Sequence, residues 1–415
     1  MNSAKLFCAV GLLLAFPLLG QEPAAPGEQG RAEGPKVVGY FPQWGLYGGY
    51  VFGGYFVKNV ITTGSATRLT HLNYAFANVV NNQCASLDTY ADYQDSLPAD
   101  ETVDGIADST APNAFAGNFH QLQELKKRYP DLRIVMSIGG GSADPTAFSI
   151  AAEPANREAF VKSCIDMYIR GNFAPGIHEP GIFDGIDIDW EFPASTADET
   201  NFTALLREFR KQLDEIHPGM TLSIAAPAGS WAYQFIDLNE IQHIVSYFNL
   251  MTYDFDGPWN YTTGFVAPLY QATLDPDPTN NANYAVESYL GMGVAPEKIV
   301  FGVPFYGYEW GVVPNVNHGL FEPGTPENEG AEYNYIMTVD STFTKYRDPI
   351  TQAPWLFDGS NFWTYDDPVE LAFKMNYVDK HKLGGVMIWE ITGDMPDGLL
   401  LKTLVRGLHQ APWLD

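Results

Sequence analysis

The sequence predicts an α/β chain folded as a TIM (β/α)8 barrel, with a small α+β insertion between strand 7 and its helix. Three observations predict it. Eight short apolar stretches alternate with helical stretches through residues 36–410, and near-continuous apolar strands separated by helices build parallel sheet. The fourth stretch, residues 183–193, reads F-D-G-I-D-I-D-W-E-F-P and carries four acids within eight residues. One connection, residues 306–362, is far longer than an ordinary strand-to-helix loop.

Strand 1 is read at residues 36–41, strand 2 at 69–76 and strand 3 at 132–137. The acidic stretch is strand 4. Residues 220–225, 247–251, 299–304 and 385–389 supply strands 5 to 8. Helical patterns lie between most of them: 114–129 stops at Pro130, 156–170 at Gly171 and 200–217 at Pro218. Residues 281–292 and 368–382 form two more helices, and 397–410 closes the chain. The barrel then comprises residues 36–305 and 363–410. Two segments break the rhythm. Residues 81–112 are acidic and loop-like, with no clear period. Residues 306–362 hold many aromatics and β-favouring runs such as 335–339, and are read as the inserted subdomain, walling one side of a groove.

The acidic stretch carries the chemistry. Side chains in a strand alternate faces, so Asp187, Asp189 and Glu191 point the same way, about 6.6 Å apart in steps of two. Asp184 has the opposite parity. Three carboxylates on one face repel one another and are costly to desolvate. A solvated acidic edge strand would place polar residues between the acids, but those positions are Ile186, Ile188 and Trp190. Buried charges of this kind are paired or functional.

With 50 acids against 23 Lys and Arg, the formal net charge is −27. A basic footprint for nucleic acid is missing, and anionic membranes repel such a surface. Lys5 precedes an apolar run at 6–19, too short for a transmembrane span, and small residues near Gly20 permit cleavage. Residues 1–20 therefore read as a signal peptide and 21–35 as a flexible leader, so a secreted protein is expected, extracellular or periplasmic, with no membrane anchor. Cys8 leaves with the signal. Nothing in the sequence requires the remaining Cys84 and Cys164 to pair, and two unpaired thiols are expected. No metal-type His/Cys cluster is present, so no metal or cofactor is expected.

The other motifs fall at strand ends, where a barrel of this kind keeps its chemistry. Ser137-Ile138-Gly139-Gly140-Gly141 ends strand 3, Met251-Thr252-Tyr253-Asp254-Phe255 ends strand 6, and Trp389-Glu390 ends strand 8. Trp44 follows strand 1 and Trp259 follows strand 6. Aromatics at several strand ends beside a carboxylate cluster suggest a saccharide groove.

D-G-I-D-I-D-W-E resembles the signature of glycoside hydrolase family 18, the chitinases. S-I-G-G, M-T-Y-D-F with Gly257 and Trp259, and the run from Tyr365-Asp366-Asp367 through G-G-V-M-I-W-E fit that family in the same order. The insertion looks like the subdomain of its deep-cleft, bacterial-type branch. The resemblance implies a monomeric enzyme cutting chitin or chito-oligosaccharides. Strand spacing lies between the carboxyl separations of retaining and inverting enzymes and does not choose between them; the family is a substrate-assisted exception, in which the 2-acetamido oxygen of the sugar attacks the anomeric carbon.

On that resemblance Glu191 is the general acid and then the base, Asp189 holds the acetamido N–H, and Asp187 shares a proton with Asp189. Asp184 supports the pair from below. Tyr253 donates to the acetamido oxygen and Asp254 fixes the sugar. Trp389 floors the reacting subsite, while Trp44 and Trp259 stack sugars to either side. Tyr40, Phe76 and Met251 complete the substrate-binding set. An inactive lectin on the same barrel, or an enzyme cutting the N,N′-diacetylchitobiose core of N-glycans, are the rival readings. The presence of Glu191 argues against the first, and the insertion with Trp259 against the second.

Overall fold

The computed structural model describes residues 34–48, 53–327 and 330–408. The expected signal segment, the leader up to residue 33 and residues 409–410 of the last predicted helix lie outside the described residues.

Eight strands form the centre: β1 (Lys36–Pro42), β2 (His71–Val80), β3 (Arg133–Gly139), β4 (Gly185–Asp189), β5 (Thr221–Pro227), β6 (Tyr247–Met251), β7 (Ile299–Pro304) and β8 (Gly385–Trp389). Each pairs in parallel with the next, and β1 also pairs with β8, so the sheet closes into a barrel. A helix follows every strand: α1 (Val57–Thr62), α2 (Gly117–Arg128), α3 (Arg157–Cys164), α4 (Thr196–Ile216), α5 (Leu238–Ile241), α6 (Ala282–Gly291), α7 (Pro368–Lys380) and α8 (Leu399–Leu408). Polar residues mark several starts. Ser195 caps α4 by accepting from Asp198 N at 3.1 Å, and Asn281 caps α6 by accepting from Tyr284 N at 2.9 Å.

The two-residue period of the strands sorts the core into two layers. Val37 and Phe41 of β1 and Val386 and Ile388 of β8 join a large cluster shared with helix residues such as Leu205 and Leu371. Val38, Tyr40, Val300 and Met387 join a second cluster, inside the barrel, which continues through Tyr253 and Tyr308 to Trp310 of the insertion. The same alternation in β4 sends Ile186 and Ile188 outward and leaves the buried Asp187 and Asp189 facing the interior.

Between β7 and α7 lies a six-stranded antiparallel sheet that opens with Tyr306–Gly311 and closes with Phe362–Tyr365. Residues 335–339, expected to be β-favouring, belong instead to a helix, Tyr333–Val339. Tertiary contacts override propensity there: Tyr333, Asn334 and Ile336 are buried, and Asn334 Nδ2 donates to the Thr392 and Asp394 carbonyls at 2.8 and 3.1 Å.

The 81–112 segment is structured as well. Asn81 and Asn82 have φ of 51° and 58°, the left-handed pair that a two-residue hairpin turn requires. Strand Gln83–Ser86 folds back antiparallel onto β2, and helix Thr89–Tyr93 follows, capped by Asp88. The expectation of unpaired thiols is overturned here. The hairpin carries Cys84 over the end of α3, where it forms a disulfide with Cys164, Cα to Cα 4.9 Å.

Candidate active site

β4 carries its carboxyls up the barrel interior. Asp187 shares a register row with Ser137 of β3 and Ser223 of β5. Its Oδ2 accepts from Tyr40 Oη at 2.7 Å and Ser137 Oγ at 2.8 Å. Its Oδ1 accepts from Ser223 Oγ at 2.6 Å and Asn249 Nδ2 at 3.2 Å. Burial raises the Asp187 pKa, and these four donors oppose the rise. Tyr40, against that carboxylate, is held well above its usual range by burial and by the Asp187 charge.

Asp189 stands one step nearer the mouth. Its Oδ1 is buried and accepts no hydrogen bond. Burial, then the charges of Glu191 and Asp187, hold it well above the carboxylate range. Asp187 spends both oxygens on its four donors, and Asp189 feels its charge. Beyond the strand end, Trp190 turns outward between Phe148 and Phe202, at ring distances of 5.6 and 5.4 Å. Glu191 turns inward. Burial, then the Asp254 charge, push it up to about 7.

Across the mouth, Tyr253 and Asp254 follow β6. The Tyr253 ring is buried, with Oη 3.7 Å from Met387 Sδ. Asp254 has a left-handed backbone, φ 60°. Its Oδ1 accepts from Tyr306 Oη at 2.6 Å and Tyr308 Oη at 2.8 Å, both on the first strand of the insertion.

Two cavities meet at these groups, and Glu191, Met251, Tyr253 and Asp254 line both. The smaller, about 200 Å³, is closed by Tyr40, Phe76, Asp189 and Trp389. Trp389 stacks on Phe76 at 5.6 Å and meets Tyr40 edge-on at 5.5 Å, and Trp44 extends this surface 6.4 Å from Trp389. The larger, about 620 Å³, is lined by Phe192, Trp231, Trp259 and Tyr284 among others. Gly257 lets the Trp259 ring lie flat over the backbone, since a Cβ there would meet the ring at 2.3 Å.

Asp184 is the site residue that the structure does not bring to this mouth. It precedes β4, three residues or about 10 Å below Asp187, and opposite in parity. There it pairs with Lys126 of α2 and accepts from Ile134 N at 2.8 Å, which ties strand to helix at the far end of the barrel. Several contributors escaped the sequence reading. Ser223 and Asn249 were signalled as polar residues on apolar strands. Trp231 was signalled as an aromatic just past a strand end, the rule that found Trp44 and Trp259. Tyr306 and Tyr308 gave no signal of their own, because only the folded insertion aims them at Asp254. Among the described residues, no group of His, Cys, Asp and Glu is arranged to hold a metal ion, and no helix is long and apolar enough to cross a membrane.

A closed (β/α)8 barrel with carboxyls rising along one strand into an aromatic-walled cleft defines a glycoside-hydrolase type of protein. Residues 36–394 match the family described as glycosyl hydrolases family 18, and the chain belongs to that family. It is similar to Chitinase C of Streptomyces lividans, 34% identical over 372 residues, which cover 87% of this chain and 58% of that protein. Chitinase 63 of Streptomyces plicatus is 32% identical over 397 residues, 92% of this chain and 62% of that one. The chain thus spans about three fifths of the length of these curated relatives. Among solved structures, the catalytic domain of psychrophilic chitinase B from Arthrobacter TAD20 superposes with a TM-score of 0.83 at 33% identity, covering 91% of this chain and 96% of that one.

Proposed function

We propose that this chain is a secreted, monomeric chitinase that hydrolyses β-1,4 bonds between N-acetylglucosamine units of chitin and chito-oligosaccharides with retention of configuration. The observation that carries the proposal is the placement of Glu191 where two cavities meet, with Asp189 behind it and Tyr253 and Asp254 across the mouth. A sugar on each side of Glu191 puts the bond between them within reach of its carboxyl. Trp389 floors the smaller cavity, and Trp231 and Trp259 wall the larger.

In the proposed reaction Glu191 starts protonated, as burial and the Asp254 charge favour, and gives its proton to the leaving glycosidic oxygen. The 2-acetamido oxygen of the same substrate attacks the anomeric carbon, so the chain supplies no nucleophile. Asp189 accepts from the acetamido N–H through its unpartnered oxygen and stabilises the positive charge that forms. Asp187 is held in place beneath it by Tyr40, Ser137, Ser223 and Asn249. Tyr253 donates to the acetamido oxygen. Glu191, now ionised, takes a proton from water as it opens the oxazolinium. Export is supported by the signal-like residues 1–20 and by the Cys84–Cys164 bridge, which persists in oxidising compartments.

The test is hydrolysis of chitin oligomers, with the anomer of the fresh product read by NMR. Initial β-anomer from the wild type, and none from Glu191→Gln, is the expected result. Initial α-anomer overturns the substrate-assisted route. An inert protein that still binds oligomers overturns the activity.

A further inference from the structure

The hairpin and short helix within 81–112 touch neither cavity, yet they are anchored at both ends. On one side Cys84 is bridged to Cys164 of α3, and Cys84 N donates to Ser163 Oγ at 2.9 Å. On the other side, helix Thr89–Tyr93 lies against the turn Gln43–Tyr47 that bears Trp44. Tyr47 Oη donates to Asp88 Oδ2 at 2.6 Å, and Gln43 Nε2 donates to Asp92 Oδ1, both of these last side chains buried. Asp92 is the hub. The same Oδ1 accepts from Tyr74 Oη at 2.6 Å, and Oδ2 accepts from Ser86 Oγ of the hairpin at 2.5 Å. Short contacts thus run without a gap from the disulfide through the hairpin and Asp92 to the residue beside Trp44.

Trp44 itself is weakly held. It is 41% exposed, with ring centroids 6.1 Å from Phe76 and 6.4 Å from Trp389. A large half-exposed ring on a five-residue turn keeps one orientation only if the turn is fixed from behind. We infer that Asp92 is a positioning residue for substrate length: through Gln43 it locks the turn so that Trp44 stands ready at the outer end of the Phe76–Trp389 surface. The gain is preorganisation, since a sugar arriving there need not order the ring. The inference rests on the saccharide-cleft reading above, and it gives 81–112 a task in the cleft that the segment never touches.

The test compares wild type with Gln43→Met, which cuts the link between hub and turn, and with Asp92→Ala, each also in a Trp44→Ala background. Specificity constants are measured on chito-oligosaccharides of two to six units. The expected result is a loss of about fivefold on the hexamer, the order set by losing one hydrogen bond. The shortest cleavable oligomer is unaffected, and the loss disappears once Trp44 is Ala. A loss equal at all lengths, or one that persists without Trp44, overturns the inference. A second reading needs no turnover: acrylamide quenching of the fluorescence that Trp44→Ala removes. It rises in Gln43→Met if the turn is loosened, and an unchanged value overturns the inference. A wild type that cleaves no chito-oligosaccharide sinks the proposed function instead, and the quenching result still decides this one.

Discussion

Tyr308 Oη lies 2.8 Å from Asp254 Oδ1, so a side chain of the insertion grips a carboxylate in the wall of both cavities. Tyr308 also meets Trp259 edge-on at 5.7 Å, which joins the centre of the cleft to its outer platform. Tyr308→Phe keeps the ring and removes the hydrogen bond. A bond to a charged acceptor contributes roughly 1.5–3 kcal/mol, so kcat/KM on a chitin tetramer is expected to fall by about tenfold or more. Circular dichroism should stay close to wild type, while the melting temperature falls by a few degrees, because the lost bond also stabilises the free protein. Unchanged kinetics would mean that Tyr306 alone holds Asp254.

Glu191→Gln should reduce turnover by about 10²–10⁴-fold, the range for loss of a positioned acid, while oligomer binding survives. The pH profile tests the same group more finely. Glu191 is pushed up to about 7 by burial and then by the Asp254 charge. In the proposed reaction it works protonated, so kcat/KM, which reports the free enzyme, should fall as pH rises through about 7. Asp254→Asn removes the charge that raises it and should move that limb to lower pH. A limb that stays in place would assign it to another group.

What could be read in the sequence followed from local periodicity. In β4, Ile186 and Ile188 alternate with Asp187 and Asp189, and that two-residue pattern already separates outer wall from interior. The opposite parity of Asp184 sets it apart from the other three acids and below them, but its partners there, Lys126 and Ile134 N, lie on other elements and leave no local signal. The Cys84–Cys164 bridge was not legible. It depends on a hairpin and a helix 80 residues apart in sequence meeting in space, and local pattern carries no such distance. Residues 335–339 misled for the related reason that burial against the barrel, rather than propensity, decides their state.

Trp231 is 67% exposed and stands edge-on to Phe192 at 5.2 Å, on the wall of the larger cavity. Such exposure of a Trp costs solubility and is expected where a flat apolar face receives a ligand. Trp231→Ala should weaken oligomers that extend into the larger cavity, with KM rising several-fold to about tenfold as one stacking contact of roughly 0.5–1.5 kcal/mol is lost together with its buried area. Substrates too short to reach it should be cleaved as before. Equal losses on short and long substrates would point to a folding defect instead.

The disulfide closes a loop with a sequence separation of 80. Loop-closure entropy gives a bridge of that span about 4.5 kcal/mol. Cys84→Ser should therefore lower the denaturation midpoint, and the protein without residues 1–20, unfolded without reductant, should show no reactive thiol. One or two reactive thiols per chain would refute the pairing.

Stability should rise as pH falls from neutral toward about 5. Burial pushes Glu191, Asp92 and Glu390 up to about 7 and Asp256 and Asp394 up to about 6, whereas unfolded carboxyls titrate near 4. Between those limits the native state keeps protons that the unfolded chain releases, so unfolding becomes easier with each unit of rising pH. The benefit is complete below about 4 and gone once pH has passed about 7. Asp358 and Asp367 are lowered rather than raised, and their opposing contribution falls below about pH 4, outside this window. Inside it, buried His71, lowered by burial to about 3, opposes the gain as the unfolded imidazole takes up a proton, one group against the five carboxyls. The net charge of −27 acts in the same direction, but salt separates the two causes. Repulsion between exposed charges is screened at high ionic strength, and the desolvation of buried carboxyls is not. A melting temperature higher at pH 5 than at pH 7.5, both at low salt and at 1 M salt, would place the effect in the buried groups. A difference that vanishes at 1 M salt would place it in the surface charge.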